Sequence, residues 1–320
     1  MEVLGEGASG CVVSPAVPCI GETRKYPGRV VSKLYERVRD SDVDMLHYNQ
    51  FIRLVDPDAE MTVPILEKCR TRNLPSRAKR CKFLSHSVHD EPYYPQNVMP
   101  YAGVPLSAAA RGIGSGETMV RLLTPLFRFV ARMDRFHLVH FDIKPGNVLY
   151  DADAKRVRVI DYGFVRSQVG VYAPGSAWER YVYHPPEIYV LTSVLNGAGL
   201  SYGSDAGRQQ LASYPSFYAA FRELYPFDAA EADYNGFVLE LKRNNLLFPP
   251  DIVNRVDVFG AGACLLEVWP KLKWASAAHR DAAAAFGRAL VCANPFKRLS
   301  PSAAYRAHTA LVKVLGGVKR

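Results

Sequence analysis

One stretch constrains this chain more than any other: His140 to Tyr150, HFDIKPGNVLY. Pro145 has no N–H to give a helix and Gly146 follows it at once, so the stretch is predicted to be a loop. Val148, Leu149 and Tyr150 then read as a short strand. The loop holds an acid (Asp142), a base (Lys144) and an amide (Asn147) in one small volume. That set suits phosphoryl transfer, with Asp142 accepting a hydroxyl proton, Asn147 ligating a metal and Lys144 steadying the moving group. A polar turn of no special function would contain the same residue types, so the rest of the chain has to decide.

At 320 residues with 48% hydrophobic content, the chain can bury a sizeable core in one large domain or two lobes. No apolar run is long enough to span a bilayer, and the N-terminus lacks a basic-then-apolar signal, so the expectation is a soluble, intracellular protein with no membrane partner. Six cysteines (11, 19, 69, 81, 264 and 292) occur without any CxxC, which favours reduced thiols. A net charge of +9 suits acidic or phosphate-rich partners without choosing among them.

Residues 3–13, VLGEGASGCVV, read as a strand–turn–strand hairpin in which Gly5, Gly7 and Gly10 let the backbone bend and bring N–H groups against phosphates. Since Gly5 stands so near Met1, either the first strand is short or further sequence precedes Met1. VVSKL, 30–34, reads as a strand carrying Lys33. Residues 41–55 are predicted helical, with Ser41 as cap and Asp42 and Asp44 in the first turn. Residues 68–82 hold seven basic residues in fifteen, read either as a solvated loop or as a patch for an acidic or nucleic-acid partner. Cys69, Cys81, His86 and His89 have only a loosely zinc-like order.

Further on, Val98–Gly103 reads as a short strand ending in glycine, and residues 117–138 carry helical periodicity through Val120, Leu123, Phe127, Val130, Met133 and Phe136. Residues 157–160 form a strand ending at Asp161-Tyr162-Gly163, fourteen residues after Asn147. His184-Pro185-Pro186-Glu187, Asp257-Val258-Phe259-Gly260-Ala261-Gly262 and Asn294–Arg298 complete the set.

In this order and spacing, from residue 4 to about 300, the motifs resemble those of the eukaryotic-type protein kinase family, whose catalytic loop is H-R-D-x-K-x-x-N. GASGCVVSPAVPC, VSKLY and LVDP are similar to kinases encoded by large DNA viruses, which would place the protein in host cytoplasm or virion. The resemblance implies an α+β, bilobal kinase-like fold: a small antiparallel sheet with one helix at about 1–101, a larger mainly helical lobe at about 104–320, and an insert at about 190–255. It implies ATP and Mg2+ as cofactors. ATP would meet Gly5, Gly7, Gly10, Val12, Val31, Lys33 and Leu149, with a hinge at Met99, Pro100 and Ala102. Asn147 and Asp161 would hold the metal, and Asp142, Lys144 and Lys33 would be catalytic. Tyr162 would pack near His140, Asp257 would brace the catalytic loop and Arg298 would pair with Glu187.

Four departures stand out. Phe141 replaces the Arg that normally receives an activation-loop phosphate. Residues 179–183, ERYVY, lack the usual Thr. About seventy residues separate Glu187 from Asp257. The helix acid that pairs with Lys33 is Asp42 or Asp44 rather than Glu; Asp42 has Leu46 four residues on, as the family pattern asks, and Asp44 has Tyr48. The expected function is a Ser/Thr protein kinase acting on protein hydroxyls. The alternatives are a pseudokinase scaffold that binds nucleotide, and a small-molecule kinase of the aminoglycoside or choline type.

Overall fold

The computed structural model describes residues 2–7, 10–21, 25–72, 74, 81, 93–172, 183–218, 220–245, 248 and 250–316. Two compact units emerge: residues 1–104 with 160–163, and residues 105–159 with 164–320. The chain is α+β, with a small antiparallel sheet in the first unit and mainly helices in the second. Among the described residues no helix is long and apolar enough to cross a membrane.

The first unit is built on β1 (Glu2–Gly7), β2 (Gly10–Ser14), β3 (Val30–Tyr35), β4 (Glu67–Thr71) and β5 (Tyr94–Pro100), in the sheet order β1-β2-β3-β5-β4. The Val12-Val13 and Val30-Val31 pairs favour β2 and β3. Gly10 is fixed by close approach: a Cβ there would stand 2.2 Å from the Leu34 carbonyl oxygen. The register sets Lys33 opposite Asn97 and Val31 opposite Met99.

Helix α1 (Val38–His47) runs into a π-type turn at Tyr48–Ile52. It begins earlier than the sequence suggested, and Ser41 is no cap: it is buried inside the helix and donates to Asn97 Oδ1 at 3.0 Å. Ser41, Asp44 and Tyr48, at helical spacing, are all buried, while Leu46 is 50% exposed.

The expectation of reduced thiols is overturned. Cys11 is bonded to Cys81 and Cys19 to Cys69, with Cα separations of 6.0 and 5.8 Å. Pairs 70 and 50 residues apart carry no local spacing signal. Loops of that length limit the unfolded chain enough to add up to about 4 kcal/mol each. Cys11 sits in an apolar cluster with Val13, Val17, Leu34 and Cys81, so the bond reinforces packing already present. The cysteine argument for a reducing, intracellular setting falls with this finding. So does the zinc-like order, because Cys69 and Cys81 are consumed; His86 and His89 lie outside the described residues. Of the basic stretch, residues 68–71 belong to β4, and most of 73–82 lies outside the described residues.

The second unit opens with α2 (Leu106–Ile113), α3 (Gly116–Leu122) and α4 (Thr124–Arg135). One helix was expected over 117–138; two form, because Pro125 cannot donate to the Arg121 carbonyl. The Thr124 hydroxyl donates to that oxygen instead, at 2.7 Å. Strands β6 (Leu138–Val139), β7 (Val148–Asp151), β8 (Arg156–Val159) and β9 (Arg166–Ser167) follow, with β7 paired to β8 and β6 to β9. The larger helices are α5 (Pro186–Leu195), α6 (Gly199–Phe217), α7 (Phe227–Arg243), α8 (Arg255–Val268), α9 (Ala277–Leu290) and α10 (Pro301–Gly316). Nearly every residue of α8 is buried, which makes it the centre of this unit.

At the start of α3, Glu117 is almost buried and accepts from the Ala275 N–H at 2.9 Å, with the Ser115 hydroxyl and the His279 ring also on its carboxylate at 3.0 Å. Burial works to raise its pKa, but these partners prevail and hold it at about 2. A lowered carboxylate pKa contributes stability that is complete above the unfolded value and is lost as pH falls through the folded one. Glu117→Gln is therefore expected to cost about 3 kcal/mol at neutral pH. In denaturant melts, the gap from wild type should close as pH falls from 4.5 toward 2. A gap independent of pH would refute the assignment.

Candidate active site

In the first unit, the side chain of Lys33 lies between two acids. Its Nζ donates to Asp44 Oδ2 at 2.7 Å and to Asp161 Oδ1 at 2.9 Å. The two-way choice of helix acid is thereby decided: Asp44 faces Lys33, while Asp42 pairs with Lys68 at the surface. The Leu46 spacing pointed to the wrong acid, because Leu46 is exposed and Tyr48 is the buried neighbour. Burial works to lower the Lys33 pKa, but the Asp161 and Asp44 carboxylates hold it well above the ordinary lysine range. Lys33 is thus a fixed cation facing two carboxylates.

The segment 160–163 packs with the first unit rather than with the strand that precedes it. Tyr162 explains why. Its ring stacks on Tyr48 at 5.9 Å, its hydroxyl donates to the Val63 carbonyl at 2.7 Å, and the same oxygen accepts from the Val63 N–H at 3.0 Å. His47 Nδ1 stands 2.8 Å from the Tyr162 carbonyl. In the second unit, the His140 ring packs edge-on against Phe129. Gly163 lets α1 come close: a Cβ there would lie 3.2 Å from Asp44 Oδ1, and that side chain would have to give by a few tenths of an ångström. Asp161 itself has φ of 71°, a left-handed conformation costing a non-glycine residue on the order of 1–3 kcal/mol.

Of the remaining nucleotide-site expectations, Gly5, Gly7, Gly10 and Val12 lie in the β1–β2 hairpin, with Gly7 opposite Gly10. Val31 is buried on β3, Met99 and Pro100 end β5, and Ala102 is buried just beyond. Asp161 and Lys33 meet; the hairpin glycines make no side-chain contact by their nature.

In the second unit, Asp142, Lys144 and Asn147 are brought together, and Leu149 follows on β7. Asp142 Oδ2 accepts from Lys144 Nζ at 2.9 Å and from Asn147 Nδ2 at 2.7 Å. Asn147 Nδ2 also reaches the Asp142 carbonyl, at 3.0 Å. A buried acid held by a cation and an amide is fixed in direction. The loop backbone is fastened from below: Asp257, at the start of α8, accepts from the N–H groups of His140 and Phe141 at 2.7 and 2.9 Å. Burial pushes the Asp257 carboxyl up to about 7, against the pull of those two donors. Gly260 permits the approach, since a Cβ there would lie 2.3 Å from the Ile143 carbonyl oxygen.

Phe141, in place of the expected Arg, has φ of 67° and is fully buried. Its ring meets His184 edge-on at 5.0 Å, and its carbonyl lies 3.1 Å from His184 Nε2. Burial lowers the His184 pKa to about 4, so the ring is neutral at physiological pH and donates through Nε2. The His184 carbonyl in turn accepts from the Tyr214 hydroxyl at 2.7 Å. Helix α6, within the long insert, is therefore tied to the loop bearing Asp142. Residues 179–182, where the missing Thr was noted, lie outside the described residues.

The sequence reading missed Tyr35, Asn97, His184 and Tyr214. Tyr35 and Asn97 had a usable signal: on a strand, residue i+2 shares a face with residue i, so Tyr35 had to lie beside Lys33. His184 and Tyr214 had none. No family model matches this chain, and none of the curated proteins matches it.

Proposed function

We propose that this chain is an ATP- and Mg2+-dependent protein Ser/Thr kinase. The observation that carries the reading is the convergence of Lys33, Asp44 and Asp161, since Lys33 and Asp161 are 128 residues apart and meet through a direct ion pair. A buried cation held between two acids is suited to orienting phosphate oxygens, and an acid beside it is suited to a hard divalent ion. Among the described residues no group of three or more His, Cys, Asp or Glu could hold a metal. Mg2+ takes one or two protein oxygens and completes its shell with water and phosphate. Asp161 and Asn147 would be its ligands, and the ion would neutralise charge developing on the transferred group.

The chain's own residues do the rest. Lys33 orients the phosphates while Asp44 holds its ammonium in place. Asp142 directs the substrate hydroxyl and takes its proton, and Lys144 beside it stabilises negative charge. Phe141 replaces the Arg that would receive an activation-loop phosphate and packs on His184 instead, so activity would not depend on that phosphate.

The test is mass spectrometry of the purified protein with Mg-ATP and, in parallel, a basic protein substrate and amino-sugars. Phosphate on Ser or Thr of the protein, lost in Lys33→Met, is the expected result. Nucleotide binding without transfer would establish a pseudokinase, and phosphate on the sugar alone a small-molecule kinase; either would overturn the proposal.

A further inference from the structure

Asp is one methylene shorter than Glu, yet Asp44 Oδ2 reaches Lys33 Nζ at 2.7 Å. The same oxygen accepts a second, shorter hydrogen bond from the Tyr35 hydroxyl at 2.6 Å. Tyr35 is itself directed: its oxygen accepts from Asn97 Nδ2 at 2.8 Å, which leaves its proton for Asp44. Asn97 is directed in turn, because its Oδ1 accepts from the Ser41 hydroxyl at 3.0 Å. The result is a one-way chain of donors from Ser41 through Asn97 and Tyr35 that ends on Asp44, where Lys33 donates from the other side. Tyr35, Asn97 and Ser41 are buried, so water does not supply substitutes for these bonds.

The register makes this arrangement robust. Asn97 lies directly opposite Lys33 across the β3–β5 pair, and Tyr35 is two residues along the same strand. All three therefore point to the face that α1 covers, and α1 contributes both ends of the chain, Ser41 and Asp44. The Tyr35 ring also stands beside the Lys33 ammonium, 5.0 Å from centroid to Nζ. Burial raises the Tyr35 pKa well above the ordinary phenol range, with Asp44 adding to the rise and Lys33 opposing it, so the hydroxyl keeps its proton.

We propose that Tyr35 is a positioning residue whose hydroxyl holds the short carboxylate of Asp44 against Lys33, doing for an aspartate what the extra methylene of a glutamate would do. The inference rests on the reading of Lys33 as the phosphate-orienting group. Without the hydroxyl, Asp44 keeps its charge but loses its second anchor, and Asn97 loses the nearer of its two acceptors, keeping the Ser41 carbonyl at 3.5 Å. Lys33 is then held by an acid free to rotate, which costs orientation rather than binding.

The experiment compares wild type, Lys33→Met, Tyr35→Phe and the double variant Tyr35→Phe/Asp44→Glu in full-length protein, measuring steady-state transfer from Mg-ATP. The expected result is a kcat about tenfold lower in Tyr35→Phe with the KM for protein substrate unchanged. The longer acid in the double variant should occupy the room left by the hydroxyl and recover kcat to within about threefold of wild type. A purely structural role would lower both variants alike and gives no reason for rescue. An active wild type with unaltered kcat in Tyr35→Phe overturns this inference alone. A wild type that transfers no phosphate from Mg-ATP, whether or not it binds the nucleotide, overturns the kinase reading and this inference with it. If Tyr35→Phe does not fold, the double variant decides: near wild-type turnover supports the proposal, and turnover as low as that of Lys33→Met overturns it.

Discussion

Asp142→Asn is expected to lower phosphoryl transfer by about a thousandfold while the protein stays folded. The substitution keeps the side chain's shape and removes its charge and basicity. A positioned general base contributes on the order of 10²- to 10⁴-fold, and here the acid is directed by Lys144 and Asn147. The fold should survive because Asp257, not Asp142, bonds the loop backbone, through the N–H groups of His140 and Phe141. Transfer from labelled ATP to a protein substrate reads the first effect, and a thermal melt the second. Wild-type transfer rates in the variant would remove Asp142 from the mechanism.

Arg298→Met is expected to destabilise the second unit by about 3–5 kcal/mol, the usual cost of removing one partner from a buried ion pair. The Arg298 and Glu187 side chains are 0% and 1% exposed. Arg298 Nη1 and Nη2 both reach the Glu187 carboxylate, and Nε and Nη2 donate to the Cys292 carbonyl at 2.9 and 2.8 Å. Removing the guanidinium strands a carboxylate and a carbonyl together. Glu187→Gln should cost less, because a neutral amide still accepts from Arg298. Replacing both partners, Glu187→Leu with Arg298→Met, should recover much of the loss, because neither charge is left buried alone. Denaturant midpoints of the three variants test this independently of any activity. Equal stability of Arg298→Met and wild type would show that the pair contributes nothing.

The motifs that the sequence displayed share a property: each is announced by residues close together in the chain. The sequence expected Pro145-Gly146 to break any helix; they instead form a single 3-10 turn, Pro145–Asn147, because proline is tolerated at a first helical position, and Asp142, Lys144 and Asn147 meet around it. The strand carrying Lys33 and the apolar helix after Asp257 were equally legible, because alternation and helical spacing are short-range patterns. Even Tyr35 lay within reach of such reasoning, two residues from Lys33 on one strand.

What the sequence by itself determined was thus the menu of strands, helices and polar loops, and which chemical groups each one offers. Only the tertiary structure decided partners. Asp42 and Asp44 are two acids of one helix, two residues apart, and the rotation of that helix against β3 and β5 selects Asp44. Cys11 and Cys81 are 70 residues apart and carry no mark of each other until the chain has packed. Asp161 follows a strand of the second unit yet packs with the first, because Tyr162 is drawn to Tyr48 and Val63. Local geometry follows from backbone sterics and the spacing of side chains, which neighbours in the chain supply. The choice among equivalent acids or thiols depends on distances of a few ångströms between segments far apart in sequence, and only the packed chain sets those distances.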